Sequence, residues 1–244
     1  MRERLPAHLR VLIAERHPFS SPVALQQAEG YLTEQFRLLG LEVSTHPFEA
    51  LGGTYRNVIG ARHTEGSPSP PPLIIAAHYD TVMGSPGADD NASALAVMLE
   101  VAHCLRNVPL SREVRFIAFC LEEEDLLGSL AYVSSLRKAN HEIAGAIVLE
   151  CVGYARSEED SQRIPPGVPV AVPTVGDFLA IVGNQASAKL SVAVEDAAKE
   201  RVPDLKTVTL TVPGNGELLP DTRRSDHAAF WHYGYPAVML TDTA

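Results

Sequence analysis

A histidine and an aspartate follow the apolar segment 73–77, at the point where a buried strand would end. His78 and Asp80 are two residues apart, so an extended backbone places both side chains on the same face. Zinc accepts histidine nitrogen and carboxylate oxygen, and a metal-binding histidine needs a carboxylate to orient its second ring nitrogen. The pair therefore indicates a zinc site, although His78 alone would fit an ordinary hydrogen-bonded histidine of the core.

Three further acidic groups stand at predicted strand ends or just before a predicted helix: Glu122–Asp125, Glu150 and Asp89–Asn91. Taken alone, the first fits a solvated helix start and the third fits a helix N-cap. Glu150 is harder to explain in this way, because an acid that closes a buried apolar strand needs a partner or a metal. Together with His78, the three groups favour one shared site.

The chain alternates between strand and helix patterns. Helices are predicted at 5–16, 22–39, 91–105, 126–137, 185–199 and 225–232. Strands are predicted at 41–48, 54–62, 73–78, 113–121, 143–150, 178–182, 208–212 and 237–240, with loops at 65–72 and 155–176. The first two strands suit an antiparallel edge pair, and the later alternation indicates parallel strands covered on both faces. The prediction is an α/β fold with three layers, α/β/α, and a mixed, mostly parallel central sheet. Ligands of such sheets bind at the carboxyl ends of the strands.

Composition narrows the class of protein. The chain has 244 residues, 45% of them hydrophobic, which suits one α/β core rather than two domains. A net charge of -10 without a basic patch argues against a nucleic-acid partner. No apolar run is long enough for a membrane span, and the N-terminus lacks a signal-peptide pattern. Cys104, Cys120 and Cys151 lie in apolar segments, so we expect buried thiols and a cytoplasmic location.

Five sequence blocks follow one another in a characteristic order. They are Ala77–Val82, Pro86–Ser93, Glu122-Glu123 with Gly128-Ser129, Leu149-Glu150, and Ser225–His227 through Gly234–Ala237. In these blocks the chain resembles metallopeptidase family 28, the co-catalytic zinc aminopeptidases that also include glutamate carboxypeptidase II-like enzymes. The resemblance covers most of the chain from residue 73 onward. It implies a zinc-exopeptidase-like fold and a peptide substrate with a free N-terminus.

The resemblance also implies a metal-ligand set. His78 and Glu150 would bind the first of two zincs, with Glu150 where the family commonly has Asp. Asp90 would bridge the two metals, and Glu123 would bind the second.

The same resemblance implies catalytic roles for two further acids. Asp80 would orient the first histidine, and Glu122 would be the general base that moves a proton from a metal-activated water to the leaving amine. The family often has a non-proline cis peptide after the bridging acid, so the Asp90–Asn91 bond is expected to be cis.

Some positions depart from the family pattern. Asp125 and Ala94 stand where the family often has Gly. The family's fifth ligand is a His beyond the last strand, and this chain ends at Ala244 before that position. We therefore expect a single zinc-peptidase catalytic domain over residues 1–244, truncated at its C-terminus. Its second zinc site would be incomplete unless His227 or His232 replaces the missing ligand.

Two other functions are compatible with these residues. A glutaminyl cyclase-like single-zinc acyltransferase shares the fold and similar ligands, and the sequence separates it poorly from an aminopeptidase. A catalytically impaired peptidase-like binding domain is the third hypothesis. The missing terminal His favours this third hypothesis, whereas the presence of Glu122 argues against it.

Overall fold

Helices and strands alternate along the described residues, 3–64, 70–163 and 171–242 of a computed structural model. The helices are Arg4–Leu12 (α1), Pro22–Leu38 (α2), Ala94–Leu105 (α3), Leu127–Lys138 (α4), Ala188–Arg201 (α5) and His227–His232 (α6). The strands are Glu42–Ala50 (β1), Gly53–Arg62 (β2), Leu73–His78 (β3), Val114–Phe119 (β4), Gly145–Glu150 (β5), Phe178–Asn184 (β6), Lys206–Val212 (β7) and Ala237–Thr241 (β8).

The strands form one mixed sheet in the order β1-β2-β4-β3-β5-β8-β6-β7. The four middle strands, β4, β3, β5 and β8, run parallel to one another. As predicted, β1 and β2 form an antiparallel pair at one edge, and β6 and β7 form a parallel pair at the other. The predicted α/β class with a mixed central sheet is confirmed. The parallel middle strands bring their carboxyl ends to one edge of the sheet.

Two hydrophobic cores cover the two faces of the sheet. Successive side chains of a strand point to opposite faces, so Ile75 and Ala77 of β3 join the core built with α2 and α3. Ile74 and Ala76 join the opposite core, which includes apolar side chains of α4 and α6. Continuous apolar strands are typical of parallel sheets covered on both sides. This packing fixes the strand ends that carry the polar residues.

Several predicted boundaries differ from the structure. The first helix ends at Leu12 rather than residue 16, because Ile13 is extended and the following backbone turns inward. The α3 helix begins at Ala94, whereas the sequence predicted a start at Asn91. The described parts of the two predicted loops contain no helix or strand. The remaining parts, 65–69 and 164–170, lie outside the described residues.

The cysteines are not uniformly buried. Cys120 is buried and Cys151 is half-buried, but Cys104 is exposed. The prediction of three buried thiols was therefore wrong for Cys104, because it lies on the outward face of α3 while its neighbour Ala102 faces the core. None of the described helices combines the length and apolar character needed to cross a membrane.

Gly128 at the start of α4 allows the closest backbone approach beside the site. A Cβ atom there would overlap the carbonyl oxygen of Cys120 and stand 2.6 Å from Asn57 Oδ1. We expect Gly128→Ala to lower the free energy of unfolding by about 3 kcal/mol, because the contact with the Cys120 carbonyl oxygen cannot relax without moving backbone. Urea unfolding measures the change. Gly30→Ala is the control, since its Cβ would meet nothing within 4 Å, and equal losses in both variants would contradict the prediction.

Candidate active site

The ends of three neighbouring strands and one turn meet at the carboxyl edge of the sheet. His78 ends β3, Glu122 and Glu123 follow β4, and Glu150 ends β5. Asp90 comes from the turn Ala88–Ser93, between β3 and α3. The structure thus brings together the residues that the sequence predicted for one site, with strand order placing β3 between β4 and β5.

His78 lies at the centre of this cluster and is 1% exposed. Its Nε2 atom is 3.0 Å from Asp90 Oδ1, 3.5 Å from Glu150 Oε2 and 3.8 Å from Glu122 Oε2. Neither ring nitrogen makes a hydrogen bond with the described residues. A buried imidazole without a hydrogen bond is costly, so this geometry indicates that His78 is arranged to bind something.

Asp80 connects β3 to the turn that carries the two glutamates. Its carboxylate is fully buried and accepts the backbone N–H groups of Glu122 and Glu123, each at 3.1 Å. Asp80 Oδ1 also faces His78 Nδ1, at 3.6 Å. This distance is longer than a hydrogen bond, so the direct contacts of Asp80 fix the glutamate backbone.

Asn91 explains why α3 starts later than predicted. Asp90 and Asn91 have non-helical backbone angles, and the peptide bond between them is cis, as the resemblance implied. The Asn91 side chain donates to the carbonyl oxygen of Leu149 at 3.0 Å and accepts the N–H of Cys151 at 3.1 Å. These bonds hold the turn against the end of β5. The turn that contains Asp90 and Asn91 therefore positions the site and does not cap a helix.

Glu150 has partners that the sequence did not identify. Ser225 Oγ donates to Glu150 Oε2 at 2.7 Å, and Cys151 Sγ lies 3.4 Å from Glu150 Oε1. Ser225 belongs to the fifth sequence block, but its contact with Glu150 spans 75 residues. The pairing of β8 beside β5 creates this contact, and no local sequence pattern reports strand order.

Burial and neighbouring charges shift the pKa values of the ionisable groups of the site. Burial raises the pKa of Glu122 well above the usual carboxyl range, with Asp226 and Glu150 adding to the effect. Burial and the nearby Asp90 raise the pKa of Glu123 to about 7. Burial lowers the pKa of His78, but Glu122 and Glu150 outweigh it and raise the value well above its ordinary range. Strongly shifted groups that share a cleft are typical of functional sites.

These donors fit a divalent metal. Three groups of ligand atoms each lie within 4.8 Å of one another: His78 with Glu122 and Glu150, His78 with Asp90 and Glu123, and Asp90 with Glu150 and Cys151. Asp90 Oδ1 and Glu123 Oε1 are also buried and find no hydrogen-bond partner in the segments that the structure describes. Imidazole nitrogen with carboxylate oxygens is a donor set that suits zinc.

The two histidines considered as replacement ligands lie elsewhere in the structure. His227 is fully buried, its Nε2 is 2.8 Å from the Thr222 carbonyl oxygen, and its ring packs edge-on against Trp231. His232 packs against Tyr233. Among the described residues, neither histidine belongs to a group of potential metal ligands. The half-buried Cys151 does belong to one, although the sequence was interpreted only in terms of a buried thiol.

The burial of His227 leads us to predict that the free energy of unfolding depends on pH. Burial, helped by Arg223, lowers the pKa of His227 to about 4, whereas an unfolded chain binds that proton near pH 6.5. Protonation of the unfolded chain therefore removes stability as the pH falls from about 6.5 towards 4, by about 3 kcal/mol.

Urea unfolding of the wild type and His227→Gln between pH 7 and pH 4 tests this expectation. The difference in unfolding free energy between the two proteins isolates His227 from the carboxyl groups of the site. A difference that does not change with pH would contradict the prediction.

Comparison with known proteins places this geometry in a family. Peptidase family M28 matches residues 57–244. YfbL of Escherichia coli (strain K12) is 32% identical, over 99% of this chain and 77% of its own length. The chain belongs to peptidase family M28, as the sequence blocks predicted.

Solved structures extend the likeness. LapA from Legionella pneumophila has a TM-score of 0.76 at 17% identity, over 100% of this chain and 62% of its own, which concerns the fold alone. BSAP, a zinc aminopeptidase from Bacillus subtilis, has a TM-score of 0.60 at 28% identity, over 79% of this chain and 41% of its own. The chain therefore spans less than two thirds of either solved protein.

Proposed function

We propose that this chain is a zinc-dependent aminopeptidase domain that removes N-terminal residues from peptides. The observation that carries the proposal is the buried imidazole of His78, which has no hydrogen-bond partner among the described residues and faces Asp90, Glu122 and Glu150. Membership of a peptidase family supports peptide hydrolysis, and the likeness to BSAP supports zinc.

The proposed ligand set is His78, Asp90, Glu123 and Glu150, with Asp90 shared between two metal positions. Zinc bound there would acidify a water and polarise the scissile carbonyl. Asp90 is suited to a shared position because it belongs to two of the candidate ligand groups. Ser225 Oγ donates to Glu150 Oε2 at 2.7 Å, and the same oxygen lies 3.5 Å from His78 Nε2, so this hydrogen bond orients the carboxylate of Glu150 in the site.

Glu122 is the proposed general base. Its side chain is almost fully buried and its pKa is raised by burial, so it can hold a proton between its removal from water and its delivery to the leaving amine. Asp80 acts on Glu122 through the backbone, because its carboxylate accepts the Glu122 N–H. Asp80 is therefore the proposed positioning residue for both adjacent glutamates.

Metal content and substrate preference together test this function. The purified chain is dialysed against trace zinc, its zinc content is measured, and hydrolysis of free and N-acetylated aminoacyl p-nitroanilides is compared. We expect bound zinc, cleavage of the free substrates only, and loss of cleavage after chelation. A zinc-loaded chain that cleaves neither substrate would contradict the aminopeptidase proposal.

The cyclase hypothesis predicts a different product. A peptide with N-terminal glutamine would lose ammonia and form pyroglutamate without any peptide-bond cleavage. Mass spectrometry of the same peptide separates the two reactions, because hydrolysis would release free glutamine. Zinc binding without either reaction would favour the peptidase-like binding domain.

A further inference from the structure

Arg16 is the largest buried charged side chain of the described residues, and it is 1% exposed. Within the described part of the chain, its guanidinium group donates only to backbone carbonyl oxygens. Nε donates to Tyr79 at 2.7 Å, Nη1 donates to Leu12, to Ala14 at 2.7 Å and to Pro86 at 3.4 Å, and Nη2 donates to Gly87 at 3.4 Å. Arginine suits this role because its planar group carries five donors in a fixed geometry.

Two of these acceptors, Leu12 and Ala14, lie at and just after the end of α1, and the other three belong to the two segments that flank the proposed metal ligands. Tyr79 directly follows His78, and Gly87 lies three residues before Asp90. The backbone of Arg16 adds a second link to the first segment. Its N–H donates to Thr81 Oγ1 at 2.9 Å, and its carbonyl oxygen accepts the Thr81 N–H at 3.3 Å. One residue therefore sets the spacing between the two segments.

His17 extends the contact to the turn after β4. Its Nδ1 accepts the backbone N–H groups of Phe19 and Ser20, each at 3.2 Å. The ring proton therefore lies on Nε2, which is 3.4 Å from Glu124 Oε1. Glu124 follows the proposed base and ligand, so the adjacent residues Arg16 and His17 contact the segments that flank His78, Asp90 and Glu123.

Gly87 shows how closely the segments are packed against Arg16. Gly87 has a left-handed φ of +59°, and a Cβ there would stand 2.8 Å from Arg16 Nη2 and 2.7 Å from the Asp90 carbonyl oxygen. The absence of a side chain at this position allows the guanidinium to reach the turn that carries Asp90.

The charge of Arg16 is not used in a direct ion pair among the described residues. Burial lowers the pKa of Arg16 to about 10, while the charges of Asp80 and Asp90 oppose this effect, so the group stays cationic at neutral pH. A buried cation that binds only carbonyl groups is expensive. The charges of Asp80 and Asp90 favour the cation at this position beside the acidic site.

We propose that Arg16 and His17 form a positioning pair that sets the zinc affinity of the site: Arg16 sets the separation of His78 from Asp90, and His17 holds the turn after β4 through Glu124. The pair lies outside residues 57–244, which carry the family match. The inference depends on the proposed zinc site. It adds a requirement for the N-terminal segment, which supplies none of the proposed ligands.

Arg16→Lys tests the pair, because lysine keeps the charge but cannot bridge the two segments. Zinc affinity is measured by competition with a chromophoric chelator, and thermal unfolding is measured without metal. We expect zinc binding to weaken by about 10–100-fold, the usual effect of losing an outer partner of a metal ligand.

Arg62→Lys is the matched control. Arg62 also donates to backbone carbonyl groups, those of Leu105 and Val108. It lies in β2 beside the first residue of β4, at the end of that strand away from the site. We expect Arg62→Lys to lower thermal stability without changing zinc affinity.

Each outcome decides between hypotheses. Absence of zinc binding in the wild type would overturn the proposed function. Zinc affinity within twofold of the wild type in Arg16→Lys would overturn the positioning role while leaving the function intact. If Arg16→Lys does not fold, the zinc affinity of Thr81→Val tests the positioning role instead. This variant removes only the hydroxyl that accepts the Arg16 N–H. Unchanged zinc affinity in a folded Thr81→Val protein would then overturn the role.

Discussion

Replacing Glu122 with Gln is expected to lower kcat by about 10³-fold and to leave zinc content unchanged. Glutamine has nearly the same shape as glutamate, but its amide cannot accept and return the proton that hydrolysis requires. The backbone contact with Asp80 does not involve the Glu122 side chain, so the turn should keep its position. Steady-state kinetics with an aminoacyl p-nitroanilide and metal analysis of the same sample measure the two effects.

Glu123→Gln provides the matched comparison, since the two glutamates are adjacent and share Asp80 as a backbone partner. We expect Glu123→Gln to lose zinc, and its activity to recover partly when excess zinc is added. Glu122 also lies in a candidate ligand group with His78 and Glu150. Equal loss of zinc in both variants would therefore show that Glu122 is a ligand rather than the base.

Replacing His78 with Ala is expected to have the second large effect. Removal of a direct ligand should weaken zinc binding by more than the about 10–100-fold that an outer partner contributes, and hydrolysis should become undetectable. The variant also removes the imidazole that faces the carboxylates of Asp90, Glu122 and Glu150. Zinc titration and thermal unfolding with and without added zinc measure both consequences.

His63→Ala is the control for this experiment. His63 also stands between two carboxylates, at 2.8 Å from Glu113 and 3.2 Å from Glu42, but its side chain is 51% exposed. Water already satisfies an exposed cluster, so its loss should change neither zinc content nor activity. If His63→Ala lowered zinc binding as much as His78→Ala, the cluster at the strand ends would not be the metal site.

The sequence predicted most of the fold and the placement of the site for one physical reason. Apolar strands that alternate with amphipathic helices can only be buried in a covered sheet. An acid at the end of such a strand then falls at a known edge, which is why His78, Glu122 and Glu150 were placed together correctly. The assignment of metal and base roles to these residues stays a prediction.

The features that sequence reasoning missed depend on contacts between distant segments. The Ser225–Glu150 hydrogen bond requires β8 to lie beside β5. Beyond the end of α1 at Leu12, Arg16 donates to the carbonyl oxygen of Tyr79, which is 63 residues away. Local periodicity reports which face of an element is apolar, but it does not report which polar group that element will meet.

Core strands ordinarily exchange their amide hydrogens last. In this sheet, however, the crowded carboxylates lie at the ends of β3, β4 and β5. Their mutual repulsion therefore acts on the strands whose amide hydrogens normally exchange most slowly. A divalent cation bound there would cross-link three neighbouring strands at their least stable point. The metal would thus stabilise the centre of the sheet. Chelation would speed amide exchange in β3, β4 and β5 before exchange changes in the edge strands β1 and β7.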